Sequence, residues 1–315
     1  MKKFNFLLVL FMSMIFSVFI SCEKDSLQHD ANANLQEDIL KKGSRQGCSI
    51  EGISRMGDKL VFKDMEHFVA TLECLELELE EHNQNFENQY AHLSDDEYNA
   101  FAENIGFNDF LPLEEFEQSL NFSSRREFIE EKIQAWLDTD NLDLENDPDD
   151  LDDFSVELRT LLSVKGEVVI GGKTINFLSE IDDTKTDNCR LYKKDKNWTN
   201  FDNNRKKFKL KVVAVSLPMK IKQKAKVKVI KQRNGRGWKR YRTNLFVQVG
   251  GFVRDFDCNF PLATGAVKGV HRRAELKAKR VNWDPPTRAK YKSREIFGFC
   301  DLPDYGISNT IVLSW

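Results

Sequence analysis

The chain has 315 residues, of which 41% are hydrophobic and 11% aromatic, a composition that excludes an intrinsically disordered protein and allows sizeable cores. The net charge of −3 conceals a division: residues 23–183 carry 40 acidic and 13 basic residues, whereas residues 200–315 carry 27 basic and 8 acidic residues. This asymmetry indicates two units with different surroundings, or two units that face each other. We place the boundary, a linker, at residues 185–205.

The N-terminus has the parts of a secretory signal. Lys2 and Lys3 precede an apolar run over residues 4–20, and the small residue Ser21 precedes Cys22. This order resembles a bacterial lipoprotein signal, in which the cysteine is acylated and becomes the new N-terminus. The resemblance implies a signal peptide over residues 1–21, lipidation of Cys22 and a lipid anchor in the outer membrane, facing the cell surface or the periplasm. An uncleaved helix and a cleaved signal without lipid are the alternatives.

Residues 22–59 are polar and unpatterned, which predicts a flexible tether. Residues 60–184 then form a predicted acidic helical domain. Apolar residues recur at helical spacing in FKDMEHFVATLECLELELEE, and Ser94 with Glu97 and Ser124 with Glu127 form capping boxes at two later helix starts. Pro112 suits the first turn of another helix. Four helices with short connections predict a small bundle, and EVVIGGKTINFL predicts a β-hairpin around Gly171-Gly172.

The stretch LDTDNLDLENDPDDLDDF is the most acidic part of the chain. One interpretation is a calcium site, because alternating carboxylates supply hard oxygen ligands; its candidates are Asp143, Glu145, Asp147 and Asp149. The favoured interpretation is a solvated acidic turn that caps the following helix near Asp152, since the loop lacks the Gly and terminal Glu of the helix–loop–helix consensus. No other cofactor is predicted.

This acidic stretch is followed by LRTLL and then by GEVVIGG. The order is similar to a recurring pattern in uncharacterised surface lipoproteins of the Bacteroidota, over about residues 60–180. The resemblance implies a location and no activity.

Residues 206–315 contain about seven strand candidates with turn residues between them, which predicts an antiparallel β-sandwich. The chain as a whole is therefore predicted to be a two-domain α+β protein. Side chains alternate along a strand, so the lysines of KIKQKAKVKV share one face. With neighbouring strands they form a predicted basic face of Lys220, Lys222, Lys224, Lys226, Lys228, Lys207, Lys209, Lys211, Arg240, Arg242, Lys277 and Lys279.

This basic face has two classes of interpretation. It is a binding surface for an anionic glycan, lipopolysaccharide or an acidic protein partner, with nucleic acid less favoured for an exported protein. Alternatively, the lysines keep a sheet soluble, or they complement the acidic half of the same molecule.

Lipidation of Cys22 leaves five cysteines, an odd number, so at least one thiol lacks an intramolecular partner. Cys258 and Cys300 are the candidate disulfide pair because both lie in the strand-rich half. The alternative is that both are small buried residues.

Enzyme motifs such as HExxH, GxSxG, a phosphate loop or a paired-cysteine metal site do not occur in the sequence. We therefore expect a non-enzymatic binding or assembly module anchored at the envelope. The alternative is an unrecognised hydrolase acting on glycan or peptide.

Overall fold

The computed structural model describes residues 47–179, 192–216, 221–255, 262–271, 275–280 and 291–314. The protein is a mixed α/β structure with antiparallel-rich sheets, and Gln46–Trp315 forms one compact unit. The predicted signal peptide and Cys22 lie outside the described residues. Within the described ranges, no helix has both the length and the apolar character that crossing a bilayer requires.

Among the described residues, the N-terminal half combines a small sheet with five helices of six residues or more. The sheet has the order β1 (Ser54–Met56), β2 (Lys59–Phe62), β3 (Glu167–Ile170) and β4 (Lys173–Asn176). The helices are α1 (Met65–Gln89), α2 (Asp95–Asn104), α3 (Leu111–Ser119), α4 (Arg125–Leu137) and α5 (Val156–Leu161), with a short 3₁₀ turn at Pro148–Asp150.

The local signals in this half are largely confirmed. Ser94 and Glu97 form a reciprocal capping box, and the Ser124 side chain accepts a hydrogen bond from the backbone of Glu127. β3 and β4 form the predicted hairpin, whose two turn residues, Gly171 and Gly172, both have positive φ angles that glycine adopts without steric cost.

The predicted helical bundle is wrong in one respect, because the helices pack on a sheet. β2 pairs in parallel with β3, which is more than 100 residues later in the chain. Leu60 and Phe62 of β2 then share one hydrophobic cluster with Phe68 and Leu72 of α1. Parallel pairing of distant strands leaves no local turn signal, so sequence patterning missed it.

A disulfide joins Cys48 to Cys74, across a sequence separation of 26 residues. It fixes part of the predicted tether to α1, and a loop of this length is worth about 3 kcal/mol of stability. The predicted Cys258–Cys300 pair is not seen: Cys300 is a free, buried thiol, and Cys258 lies outside the described residues. Burial raises the pKa of Cys300 to about 12, so the thiol is protonated and behaves as a small apolar side chain.

The C-terminal half contains two antiparallel sheets. The first has the order β11 (Glu275–Arg280), β7 (Ile221–Gln232), β6 (Lys206–Ser216) and β5 (Tyr192–Phe201), with β8 (Trp238–Arg240) also paired to β7. The second has the order β10 (Leu262–His271), β9 (Leu245–Asp255), β12 (Tyr291–Leu302) and β13 (Ile307–Ser314).

The two sheets share a hydrophobic cluster. Phe208, Leu210 and Val212 of β6 and Ala225 and Val227 of β7 supply one side. Residues of β9, β12 and β13 supply the other: Leu245, Val247, Val249, Ile296, Cys300, Ile311 and Leu313. This is the packing expected for sandwiched sheets, and it leaves the lysine-bearing side of β6 and β7 facing away from their shared core.

Two predicted connections contain strands. β5 lies inside the predicted linker at 185–205, and β1 lies inside the predicted tether at 22–59. The stretch WKRYRTNLFVQVGG, one of the seven strand candidates of the sequence, is interrupted at residues 241–244, between β8 and β9.

The predicted two-domain division is not confirmed. Val213 of β6 packs in the cluster of the helical half, and Ile230 and Trp238 pack with Ile129 and Ile133 of α4. These contacts join the acidic and basic halves through apolar side chains.

Candidate functional site

The register of β6 and β7 places lysines directly opposite one another. Lys209 pairs with Lys228, and Lys211 pairs with Lys226. Like charges in directly opposed positions of a sheet are destabilising. We call the surface formed by Lys209, Lys211, Lys224, Lys226 and Lys228 the lysine face.

We call residues 143–153 the acidic loop. Its aspartates insert between these lysines. The Asp147 carboxylate bridges one opposed pair, with Oδ2 2.5 Å from Lys209 Nζ and Oδ1 2.9 Å from Lys228 Nζ. Asp150 Oδ1 bridges two lysines of one strand, at 3.0 Å from Lys209 Nζ and 2.8 Å from Lys211 Nζ. A carboxylate therefore lies between the two lysines of each of these two pairs.

Two further aspartates complete the coverage. Asp149 Oδ2 lies 2.7 Å from Lys226 Nζ, and Asp153 Oδ1 lies 2.6 Å from Lys211 Nζ. The Lys224 ammonium donates to the carbonyl oxygen of Phe154 at 3.4 Å. Lys209 is fully buried and Lys224 nearly so, which shows how closely the acidic loop covers the face.

Arginines of the helical half hold the acidic loop from its other side. Arg159 of α5 donates to Asp149 and Asp152, and Arg125 of α4 donates to Asp152. Asp149 therefore lies between Arg159 and the lysines. Burying several charges together is tolerable only when each is paired in this way.

The expectation of a free basic face is corrected by these contacts. The lysine face is covered by the acidic loop, while Arg240 pairs with Glu130 and Arg242 pairs with Asp109. Lys207 donates to Asn200 and lies over the Trp238 ring. Lys220 lies outside the described residues, as do the side chains of Lys222, Lys277 and Lys279. An external polyanion would have to displace the protein's own carboxylates.

The calcium candidates are also placed differently from the expectation. Asp147 and Asp149 bind lysine and arginine side chains, so cations of the protein already occupy these carboxylates. Asp143 accepts from the backbone of Glu145 and Asn146 within its own turn, and the Glu145 side chain is 85% exposed. This arrangement does not fit a calcium site.

The ion pairs shift the acidity of the loop. Burial raises the pKa of Asp147, Asp149, Asp150 and Asp153, but the neighbouring cations lower it by more, so the net direction is downward for each. Burial lowers the pKa of Lys228 to about 8, which keeps it mostly protonated at neutral pH. The cluster is therefore ionic under physiological conditions.

A second feature is an open cleft of about 540 Å³ at the start of α2, within the range of about 300–1,000 Å³ that is usual for ligand pockets. We call it the α2 cleft. It is lined by His92, Leu93, Ser94, Asp95, Asp96, Tyr241, Asn244, Asp304 and Tyr305.

Both halves of the chain build this cleft. The interruption between β8 and β9 is held against α2: the Thr243 hydroxyl donates to the Asp95 carboxylate, and the backbone of Arg242 donates to Asn99 at 2.8 Å. Asn244, the residue after Thr243, donates to Asp304 at 2.9 Å, and this bond connects the interruption to the turn before β13.

A polar network around Lys206 holds the two tyrosines that line the cleft. Its ammonium donates to Tyr305 Oη at 2.8 Å and lies 4.4 and 4.7 Å from the ring centroids of Tyr241 and Tyr305. Tyr241 Oη donates to Asp96 at 2.9 Å, and Asp96 also accepts from Lys231 at 2.6 Å. Burial, together with hydrogen bonds to Tyr305 and Asp96, raises the pKa of Tyr241 and keeps it a phenol.

Sequence patterning did not find the α2 cleft. In the sequence, Asp95 and Asp96 lie between Ser94 and Glu97 of a predicted helix start, and Tyr241 and Asn244 lie within the strand candidate WKRYRTNLFVQVGG. The one signal was local: YRTN breaks the apolar alternation that resumes in LFVQV.

Replacing Asp147 by Asn is expected to destabilise the protein by about 3–5 kcal/mol, because the buried, opposed Lys209 and Lys228 then lose the carboxylate that bridges them. Urea denaturation of the purified protein measures the change. Glu145→Gln is the matched control, since its exposed carboxylate should contribute no more than about 0.5 kcal/mol. Equal stabilities of the two variants would contradict the bridging role of Asp147.

Acid should destabilise the protein through Asp147, Asp149 and Asp150. The folded-state pKa of each carboxyl lies below the ordinary value of 3.8. Their contribution to the free energy of unfolding is therefore complete above about pH 3.8 and is lost as the pH falls through the lowered values. We expect the melting temperature to decline steeply below about pH 4, and Asp149→Asn to flatten that decline. A melting temperature that stays constant down to pH 2 would refute this linkage.

No protein-family model matches the sequence, and no curated protein matches it. Among solved structures, the crystal structure of a DUF4848 family protein from Bacteroides thetaiotaomicron is similar over 83% of this chain and 100% of that chain, with 13% sequence identity and a TM-score of 0.22. A TM-score of 0.22 is too low to show a shared fold. The comparisons therefore assign no activity to this chain.

Proposed function

We propose that this protein is an envelope-anchored, non-enzymatic binding module that takes its ligand in the α2 cleft. The observation that carries the proposal is the convergence of aromatic, carboxylate and amide groups from three separate segments in one cleft of ligand size. The segments are the start of α2, the interruption at 241–244 and the turn at Pro303–Tyr305.

The internal ion pairs favour the α2 cleft over the lysine face. The lysine face is buried beneath the acidic loop, whereas the exposed groups of the cleft include Asp96, whose side chain is 66% exposed, and Asp304. A binding module needs groups that a ligand reaches without unfolding the protein. The cleft meets that requirement.

The anchor rests on the sequence of the N-terminus, where Lys2, Lys3, the apolar run and Cys22 follow in the order of a lipoprotein signal. Attached acyl chains would hold the module at the outer membrane. A tether before Cys48, the first residue of the disulfide, would then separate the membrane from the folded body.

We expect cells that express the full chain to incorporate an alkyne-bearing palmitate analogue into it, and Cys22→Ala to abolish the labelling. Cys300→Ala is the matched control, because it removes a cysteine that lies in the core. Gel fluorescence after click coupling gives the readout. Labelling that persists in Cys22→Ala, or is absent from the unchanged chain, would overturn the anchor.

Ligand binding is tested by thermal shift of the full mature chain in detergent. The panel contains neutral, anionic and cationic oligosaccharides together with acidic and basic peptides. We expect at least one compound to raise the melting temperature of the unchanged chain but not that of the Asp96→Asn/Asp304→Asn variant.

Glu145→Gln is the control and should respond as the unchanged chain does, because its carboxylate lies outside the cleft. Identical responses of the unchanged chain and the double variant, including no response from either, would refute binding at the cleft. Mass spectrometry of the same mixtures separates the alternative function, since a hydrolase acting on glycan or peptide would convert the compound into smaller products.

A further inference from the structure

The α2 cleft contains hydrogen-bonding groups of both kinds. Asp96 and Asp304 offer carboxylate oxygens, each with several acceptor positions, and Asn244 and Tyr305 offer polar groups that donate or accept. A ligand that satisfies such a mixture must itself donate and accept at closely spaced positions. Hydroxyl groups do both.

The charges of the cleft disfavour an anionic ligand. Three of its lining residues are aspartates, and Asp96 and Asp304 are exposed. Hydrogen bonding from Lys231 lowers the pKa of Asp96, so this carboxylate is ionised at neutral pH. A phosphate, sulfate or carboxylate in the cleft would therefore meet like charge at short range.

The same cleft disfavours an organic cation. Acidic and aromatic groups together commonly bind ammonium ligands through ring faces. Here Lys206 already lies over both tyrosine rings, and Lys231 lies 5.2 Å from the centroid of Tyr241. The protein's own ammonium groups thus occupy the positions that a cationic ligand would use.

An uncharged ligand avoids both penalties, and the cleft suits a polyhydroxylated one. The carboxylates of Asp96 and Asp304 lie where ligand hydroxyls can donate to them, and Asn244 is fixed by its hydrogen bond to Asp304. Leu93 supplies apolar surface for carbon–hydrogen groups. Hydrogen bonds hold Tyr305, Tyr241 and Asp96 before any ligand arrives, which lowers the entropy cost of binding.

We propose that the ligand of the α2 cleft is an uncharged oligosaccharide, bound through hydroxyl groups to Asp96, Asn244 and Asp304. This inference rests on the proposed binding function and adds its ligand class.

Isothermal titration calorimetry with the full mature chain tests the ligand class. The probes are maltohexaose, cellohexaose and laminarihexaose as neutral sugars, hexagalacturonate as the anion and a chitosan hexamer as the cation. We expect a neutral hexasaccharide to bind with an affinity that is insensitive to added salt, because no charge on the ligand is screened.

Asp304→Asn should weaken that affinity about tenfold, since it removes a charged acceptor from hydrogen bonds worth about 1.5 kcal/mol. Glu145→Gln should leave the affinity unchanged. Asp304 is exposed, so its substitution leaves the core intact.

The outcomes separate the ligand class from the binding function. If none of the neutral sugars binds and a charged probe binds in a way that Asp96→Asn/Asp304→Asn abolishes, the ligand class is overturned and the binding function stands. If a neutral sugar binds equally well to that double variant, the α2 cleft is not its site and the inference fails. If no probe of any charge binds, both proposals fail.

Discussion

The fold of the C-terminal half depends on the neutralisation of opposed lysines. Antiparallel pairing of β6 with β7 sets Lys209 against Lys228 and Lys211 against Lys226, an arrangement that repels unless counterions intervene. The aspartates of the acidic loop are those counterions, and Arg159 holds them from the opposite side. Such a buried cluster adds little net stability over apolar packing, but removal of one member is costly. The ion pairs therefore specify which loop covers which strands.

Apolar contacts flank this ionic patch and fix the same two halves together. Val213 packs with the helical half near one end of the lysine face, and Ile230 packs against α4 near the other. The hydrophobic contacts supply most of the free energy of association, whereas the ion pairs require one arrangement of acidic loop and sheet. A charge asymmetry that looks like two independent domains in the sequence is thus an internal complementarity.

The α2 cleft follows from that complementarity. Because the two halves are joined, the interruption at 241–244 lies against the start of α2, where Thr243 and Asn244 contact Asp95. Neither half contains all the groups that line the cleft. Lys206 and Lys231 hold the two tyrosines and Asp96 of the cleft, and we propose that an uncharged ligand binds there. The lysine face, the more conspicuous feature of the sequence, is a structural element, because the acidic loop covers it.

The sequence by itself determined the local structure: capping residues placed the starts of α2 and α4, glycines placed the β3–β4 turn, and alternation placed the lysines of β6 and β7 on one face. These are short-range properties, because helix caps, turns and strand alternation depend on neighbouring residues. Only the tertiary structure decided what that face meets, since Lys228 and its partner Asp147 are 81 residues apart. The same holds for the Cys48–Cys74 disulfide, the parallel pairing of β2 with β3 and the α2 cleft, each of which joins distant segments that carry no local signal of their partner.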